Sequence, residues 1–508
     1  MTFDLSKPLD LTRALAPDLL LFAGAMVLML WSAMGKDGAA HQRRIGIAAI
    51  TVAAGTLIAV ILASLQGLSA SPGIIVVDGF RWASDMVFLV GAIIAIAISL
   101  DYNTREGIFI AESHVLVLFA VGGMMLMVAS RDLMLLFLGI ETMSVAVYVL
   151  AGLNRRSARS AEGALKYFLL GAFSTAFFLY GIALIYGATG ATNLQVIGER
   201  IARLQLEGSS MLLVGVALLL VGFAFKLAAA PFHMWAPDVY EGAPTPITAF
   251  MATTVKAAAF AAFLRVWLSA LGGAYGQWHA AVWWLSAATM VVGNVIALQQ
   301  RSLKRMLAYS SIGHTGFVLV AVASGSGQSA AAFLFYLVAY TFATMGAFAV
   351  MIALGSAGAP RDQIEDYNGL WHVRPGMAIA MTIFMLALLG FPIFGGMGFF
   401  AKWYVLQAAL QAQAPQTRLA VLLVLTTTIS AGYYLSVVVS MFMKPRPEPA
   451  VPLPATGGIM RFVIATSAAV ILFFGVFPDP IVRWTRTGVD LVPIPATTPH
   501  VAQSAVQD

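Results

Sequence analysis

Stretches of about twenty apolar residues recur along almost the whole chain, and no other feature limits its possible folds so severely. A helix needs roughly 20 such residues to cross the hydrocarbon of a bilayer. Segments of that kind lie near 15–34, 44–65, 80–100, 112–130, 132–152, 164–187, 210–230, 245–271, 279–298, 303–323, 330–355, 375–410, 419–442 and 458–478, which predicts fourteen spans. Of 508 residues 60% are hydrophobic and only 10% charged, against about 25% charged in a soluble domain. Lipid cannot satisfy backbone polar groups, so the expected fold class is an all-α integral membrane protein. The opening MTFDLSKPLDLTRALAPDLL carries acidic residues and no small-residue cleavage site after its apolar run, and reads as a retained first helix.

The charges between spans give an orientation. Loops after the odd-numbered spans carry sixteen Lys and Arg, the opposite side with both termini ten. Excess positive charge stays in the cytoplasm, so both termini are expected outside it. The same loop charges explain a net charge of +6 without any nucleic acid as partner. The chain has no cysteine, which removes disulfides, iron–sulfur ligation and thiolate zinc sites. Its seven histidines form no H-x-x-x-H pair, and no Gly-rich phosphate loop occurs, so no cofactor, metal or nucleotide site is expected in this chain.

Four ionisable side chains break the apolar pattern from within: Glu141 in LFLGIETMSV, Lys226 in GFAFKLAAAPF, Lys256 in TTVKAAAF and Lys402 in GFFAKWYV. A charge near the bilayer centre costs about 2.5 to 3.5 kcal/mol even on the lenient insertion scale. Glu141 follows Arg131 by ten residues, about 15 Å into the membrane at 1.5 Å per residue, and is expected to be the one buried acid. Burial weakens a lysine's hold on its proton and a nearby carboxylate strengthens it, so such groups can exchange protons. Each lysine can also be read as a structural partner for a freed carbonyl, and Lys402, beside Trp403 and Tyr404, as one reaching toward the interface. His233 and His314 stand between helix packing and a relay role. Asp238 and Glu241 read as hydrated surface.

Two spans are interrupted. Pro231 follows Lys226 by five residues and should free the carbonyl of Leu227, because proline has no N–H. In LLGFPIFGGMGFF, Pro392, Gly395, Gly396 and Gly398 fall mid-span and should free the carbonyl of Leu388. Corresponding interrupted helices point to the working site of a transporter. If spans 4–8 and 9–13 are two five-helix repeats, each break falls on the fourth helix, and an odd helix number makes the second repeat inverted. The implied organisation is 1–110 for helices 1–3, 111–272 and 273–443 for the two repeats, and 444–508 for helix 14 and the tail.

The run KLAAAPFHMWAPDVYEGAPTPITAF, a lysine before a break and a proline-rich turn before the next lysine-bearing span, resembles the antiporter-like subunits of respiratory complex I, the proton-pumping NADH:quinone oxidoreductase. With about thirty residues after span 14, no lateral helix like that of subunit L is expected, and Lys402 stands where subunit M typically has glutamate. The chain is therefore most similar to the subunit N group. The resemblance implies proton translocation through Glu141, Lys226, Lys256 and Lys402, with His314 and His233 as possible relay members. Glu141 and Lys226 would form a pair whose approach or separation loads or unloads a proton. It implies no redox site here, FMN and iron–sulfur clusters in partner subunits, subunits M and K as neighbours, and a bacterial cytoplasmic (inner) membrane with periplasmic termini. An Mrp-type sodium/proton antiporter subunit shares these helices and lysines and is the alternative.

The charge bias is directly checkable because the chain has no native cysteine. Ser157→Cys, in the loop Asn154–Lys166, is expected to resist membrane-impermeant thiol reagents in intact cells and to react in inverted vesicles. Labelling from outside would reverse the orientation.

Overall fold

Among the described residues of the computed structural model, thirteen helices are long and apolar enough to cross a bilayer, from Ala16–Met34 to Gly458–Val476. The remaining crossing, span 12, is made by two shorter pieces, Pro375–Leu389 and Met397–Leu410, so each of the fourteen expected segments is helical. The structure describes residues 2–487 apart from 5–6, 37, 71–72, 393–395, 413 and 447–452. Outside the helices, the only paired strands among the described residues are Thr2–Phe3 and Ser69–Ala70.

Local chemistry sets where several spans begin. Spans 5 (Leu133–Ala151), 6 (Ala158–Thr189), 7 (Ser210–Leu227) and 10 (Leu303–Ser324) each follow an Asp or Ser, namely Asp132, Ser157, Ser209 and Ser302. In each case the side chain accepts a bond from a first-turn N–H, the usual satisfaction of orphan helix donors. The spans then sort by burial. Span 8 (Thr245–Ala270) is buried throughout, and spans 10 and 11 (Ser329–Leu354) are 94% buried in their central windows, whereas spans 1, 2, 6, 13 and 14 are a third buried or less. These rim helices turn large apolar side chains outward, such as Phe173 and Phe462, 66% and 71% exposed, toward lipid.

Lipid gives apolar helices no hydrophobic reason to associate, so small residues and close packing take over. Gly123 of span 4 (Glu112–Ala129) meets Gly139 of span 5: a Cβ on Gly139 would lie 2.9 Å from the Gly123 oxygen. Gly293 of span 9 (Gly272–Ala297) meets Gly313 of span 10, where an added Cβ would lie 2.4 Å from the Gly313 nitrogen. The same device thus joins span 4 to span 5 and span 9 to span 10.

Charges gather in two layers at opposite ends of the bundle. In one, Arg265 grips Asp78 at 2.8 and 3.0 Å, and Arg81 lies 2.5 Å from Asp18 and 3.7 Å from Asp85. Burial alone would raise the Asp78 carboxyl, but the Arg265 guanidinium outweighs it and holds the group below the usual carboxylate range. In the other layer, Asp238 accepts from Lys166 and Arg305, both at 3.0 Å, and Glu241 accepts from Arg305 at 2.7 Å. Three sequence expectations are corrected here. Arg81 and Arg265, counted as loop charges, are buried in span 3 (Gly79–Glu106) and span 8. Asp18 and Asp85 are buried acids, so Glu141 is not alone, and Glu141 itself is only half-buried. Asp238 and Glu241 are bonded across spans 6 and 10 rather than simply hydrated. Hydropathy averages over a window and hides an ion pair at a span end, which is why these were missed.

Overpacking a close contact costs about 1–3 kcal/mol. Gly139→Val is therefore expected to lower the thermal midpoint of the purified protein by several degrees. Gly55→Ala, whose new Cβ meets nothing within 4 Å, is expected to leave it unchanged or slightly raised.

Candidate functional site

Lys226 sits in the last turn of span 7, only 7% exposed. Its Nζ donates to Ser144 Oγ at 2.7 Å and Tyr148 OH at 3.1 Å. Both partners are on span 5, three and seven residues beyond Glu141, so all three share one helical face. Glu141 accepts instead from Thr175 of span 6 at 2.8 Å. Among the described residues no ion pair joins Glu141 to Lys226, and hydroxyls hold the lysine.

The helix ends directly after Lys226. Ala228 has φ +54°, three residues ahead of the Pro231 that the sequence suggested as the breaker. The carbonyl of Leu227 is free, as expected, and accepts from Thr315 Oγ1 at 3.0 Å; Ala230 N donates to Thr289 Oγ1 at 2.9 Å. Side chains of spans 9 and 10 thus satisfy backbone that lipid could not.

Lys256, 5% exposed, follows one π-helical turn, Met251–Val255, and precedes another, Val266–Ala270, irregularities that concentrate at functional sites. Its Nζ donates to the carbonyl and hydroxyl of Ser311 at 3.0 and 2.5 Å. The Ser311 carbonyl also accepts from Thr315 at 3.1 Å. One turn of span 10 therefore touches both the broken end beside Lys226 and the head of Lys256.

His314 lies on that same turn and is 5% exposed. Nδ1 meets the Tyr336 hydroxyl, and Nε2 lies 3.0 Å from the Tyr434 hydroxyl. Two cavities of about 10 Å³ flank the ring: one also touches Lys256, the other Lys402, and both share Tyr336 and Tyr340. About 10–15 Å³ accommodates one water.

Lys402 is 7% exposed and donates to the Leu389 carbonyl at 2.8 Å, with Nζ 4.8 Å from the centre of the Phe317 ring. The head points inward, which removes the interfacial reading. Gly390, at φ +79°, ends the first half-helix, and the freed carbonyl that Lys402 takes is that of Leu389, the residue after the expected Leu388. Gly395 lies outside the described residues. His233 sits in the turn after the first break, half-buried, and among the described residues no hydrogen bond links its ring to a lysine. No group of three His, Asp or Glu side chains able to hold a metal occurs among the described residues. The hydroxyls of Ser144, Tyr148, Ser311, Thr315, Tyr336 and Tyr434 were not anticipated. The only signal was the polar run SSIGHT inside an apolar span.

Residues 130–430 match the family described as NADH:quinone oxidoreductase/Mrp antiporter, TM. The NADH-quinone oxidoreductase subunit N of Gemmatimonas aurantiaca is 50% identical over 492 residues, 93% of this chain and 92% of that protein. That of Paramagnetospirillum magneticum is 38% identical over 491 residues, 96% and 99% of the two chains. A chain of respiratory complex I from Thermus thermophilus with bound aureothin superposes with a TM-score of 0.79 at 34% identity, over 93% of this chain and 100% of that one. A chain of the Mrp complex from Dietzia sp. reaches 0.81 at 19% identity over 94% and 97%, a likeness of fold alone.

A non-glycine residue in the left-handed region costs roughly 1–2 kcal/mol, and a Cβ on Gly390 would lie 3.0 Å from Lys402 Cδ. Gly390→Ala is expected to lower the thermal midpoint and to reduce ion transport severalfold by displacing the lysine head. Unchanged transport with lowered stability would detach the break from the lysine.

Proposed function

The chain belongs to the NADH:quinone oxidoreductase/Mrp antiporter membrane family, in its subunit N group, and we propose that the half-buried Glu141 and the buried Lys226, Lys256, His314 and Lys402 carry the protons. It is a proton-translocating membrane subunit of NADH:quinone oxidoreductase. Electron transfer belongs to other subunits, which in this reading hold the FMN and iron–sulfur clusters, with subunits M and K as neighbours. The membrane is the bacterial inner membrane, with both termini on its outer side, and residues 111–272 and 273–443 are the two inverted repeats.

One observation carries the pathway: the ends of both broken helices, Lys256 and Lys402 meet a single stretch of span 10 or the cavities beside it, and Lys226 is the residue next to the first of those ends. Lys226 bonds hydroxyls one and two helical turns from Glu141. Sliding its head by about 4.5 Å, the rise of three residues, would bring it to the carboxylate. An opposite charge within about 4–6 Å favours the ammonium and burial favours the neutral amine, so approach loads a proton and retreat releases it. Thr315 and Ser311 connect that end to Lys256. His314 can accept on one ring nitrogen and donate from the other, which suits a group between Lys256 and Lys402. Lys402, seated on the second break, is the exit-side site. The Mrp reading has less support, since its structural likeness is one of fold alone.

Lys226→Ala leaves an apolar side chain that the membrane accepts, so assembly should survive while proton translocation per electron falls. For the carboxylate, Glu141→Gln keeps volume and hydrogen-bonding reach without charge and is expected to lose proton uptake tenfold or more. Glu141→Asp keeps the charge on a shorter arm and is expected to retain part. Quinone-reductase-coupled proton uptake, in membranes with equal amounts of assembled complex, measures all three. Glutamine working as well as glutamate would remove the charge switch.

A further inference from the structure

A groove of about 450 Å³ opens between the start of span 12 and span 14, at the end of the bundle assigned to the cytoplasm. Ile379, Ile383, Ile464 and Ala468 form its wall, and Arg374 and Arg461 lie at its rim. Arg374 donates to the carbonyls of Leu453 and Pro454 at 3.3 and 3.1 Å, which fixes the guanidinium without neutralising it. Among the described residues neither arginine has a carboxylate partner, whereas the nearby Asp101 is taken by Arg43 at 3.5 Å. The helices Pro375–Leu389 and Gly458–Val476 both begin at this rim, so their positive dipole ends add to the arginines.

We propose that this groove is a binding site for one anionic glycerophospholipid of the cytoplasmic leaflet. An apolar wall opening to the bilayer suits an acyl chain; Ile379 is 48% exposed. Two guanidiniums above that wall, without a carboxylate partner among the described residues, select a negative head group over a zwitterionic one. Basic pockets between spans on the cytoplasmic side are where anionic head groups bind. The wall includes the first half of the broken span 12, whose end supplies the Leu389 carbonyl to Lys402. A bound lipid therefore braces the half-helix that seats the lysine.

The test uses membranes containing the assembled complex and phospholipids with a diazirine in the acyl chain, as phosphatidylglycerol or phosphatidylcholine. After photolysis, labelled peptides of this chain are mapped. Phosphatidylglycerol should label residues 379–383 and 464–468 in strong preference, by up to about thirtyfold for two charges, and label residues 421–425 of span 13 no better than phosphatidylcholine. Arg374→Gln with Arg461→Gln should bring the preference in the groove near unity, and the double lysine variant should restore it. Equal labelling by both lipids, or a preference that survives the glutamine variant, overturns the proposal. Absence of any lipid label there also overturns it, and assigns the groove to a neighbouring subunit.

Discussion

The bonds that receive the carbonyls of Leu227 and Leu389 hold the functional half of this molecule in place. Interrupting a helix inside a membrane strands backbone acceptors, and an unpaired one costs several kcal/mol there. The first is taken by Thr315, the second by Lys402 itself. Each break is thereby held by side chains, and each has the head of a buried lysine or the residue bearing one beside it. The lysines are tolerated because hydroxyls and carbonyls answer them; the breaks are tolerated because side chains answer the carbonyls.

Span 10 gathers these ties. Ser311, His314 and Thr315 lie within five residues and face three different neighbours: Lys256, the tyrosine hydroxyls beside Lys402, and the broken end beside Lys226. The span is almost wholly buried, and its glycine contact with span 9 fixes its height. The acidic network of Asp238 and Glu241 with Lys166 and Arg305 ties span 6 to the start of the same helix.

Much of this was legible in the sequence because membrane physics writes plainly. Every span was foreseen, since a crossing needs a fixed length of apolar residues. Glu141, Lys226, Lys256 and Lys402 were conspicuous because charge is rare at that depth, and Leu227 was foreseen as a stranded carbonyl. The first break itself began earlier than Pro231, at Ala228, because backbone conformation there is set by packing against spans 9 and 10. The partners of the lysines were not legible. A serine or tyrosine in an apolar span carries little hydropathy signal, and which hydroxyl meets which lysine depends on helix contacts between residues as far apart as Ser144 and Lys226. The buried Arg81, Asp18 and Asp85 were hidden for a related reason, since span ends are where charges are ordinarily solvated.

In the proposed pathway Lys256 is the link between the two halves of the axis. Lys256→Met keeps the length of the side chain and cannot carry a proton. The decisive measurement is the number of protons translocated per electron in closed vesicles containing the assembled complex, with quinone reduction followed in the same sample. The pathway described here requires electron transfer to continue with fewer protons per electron than in the unaltered protein. An unaltered ratio at full electron flux would contradict it.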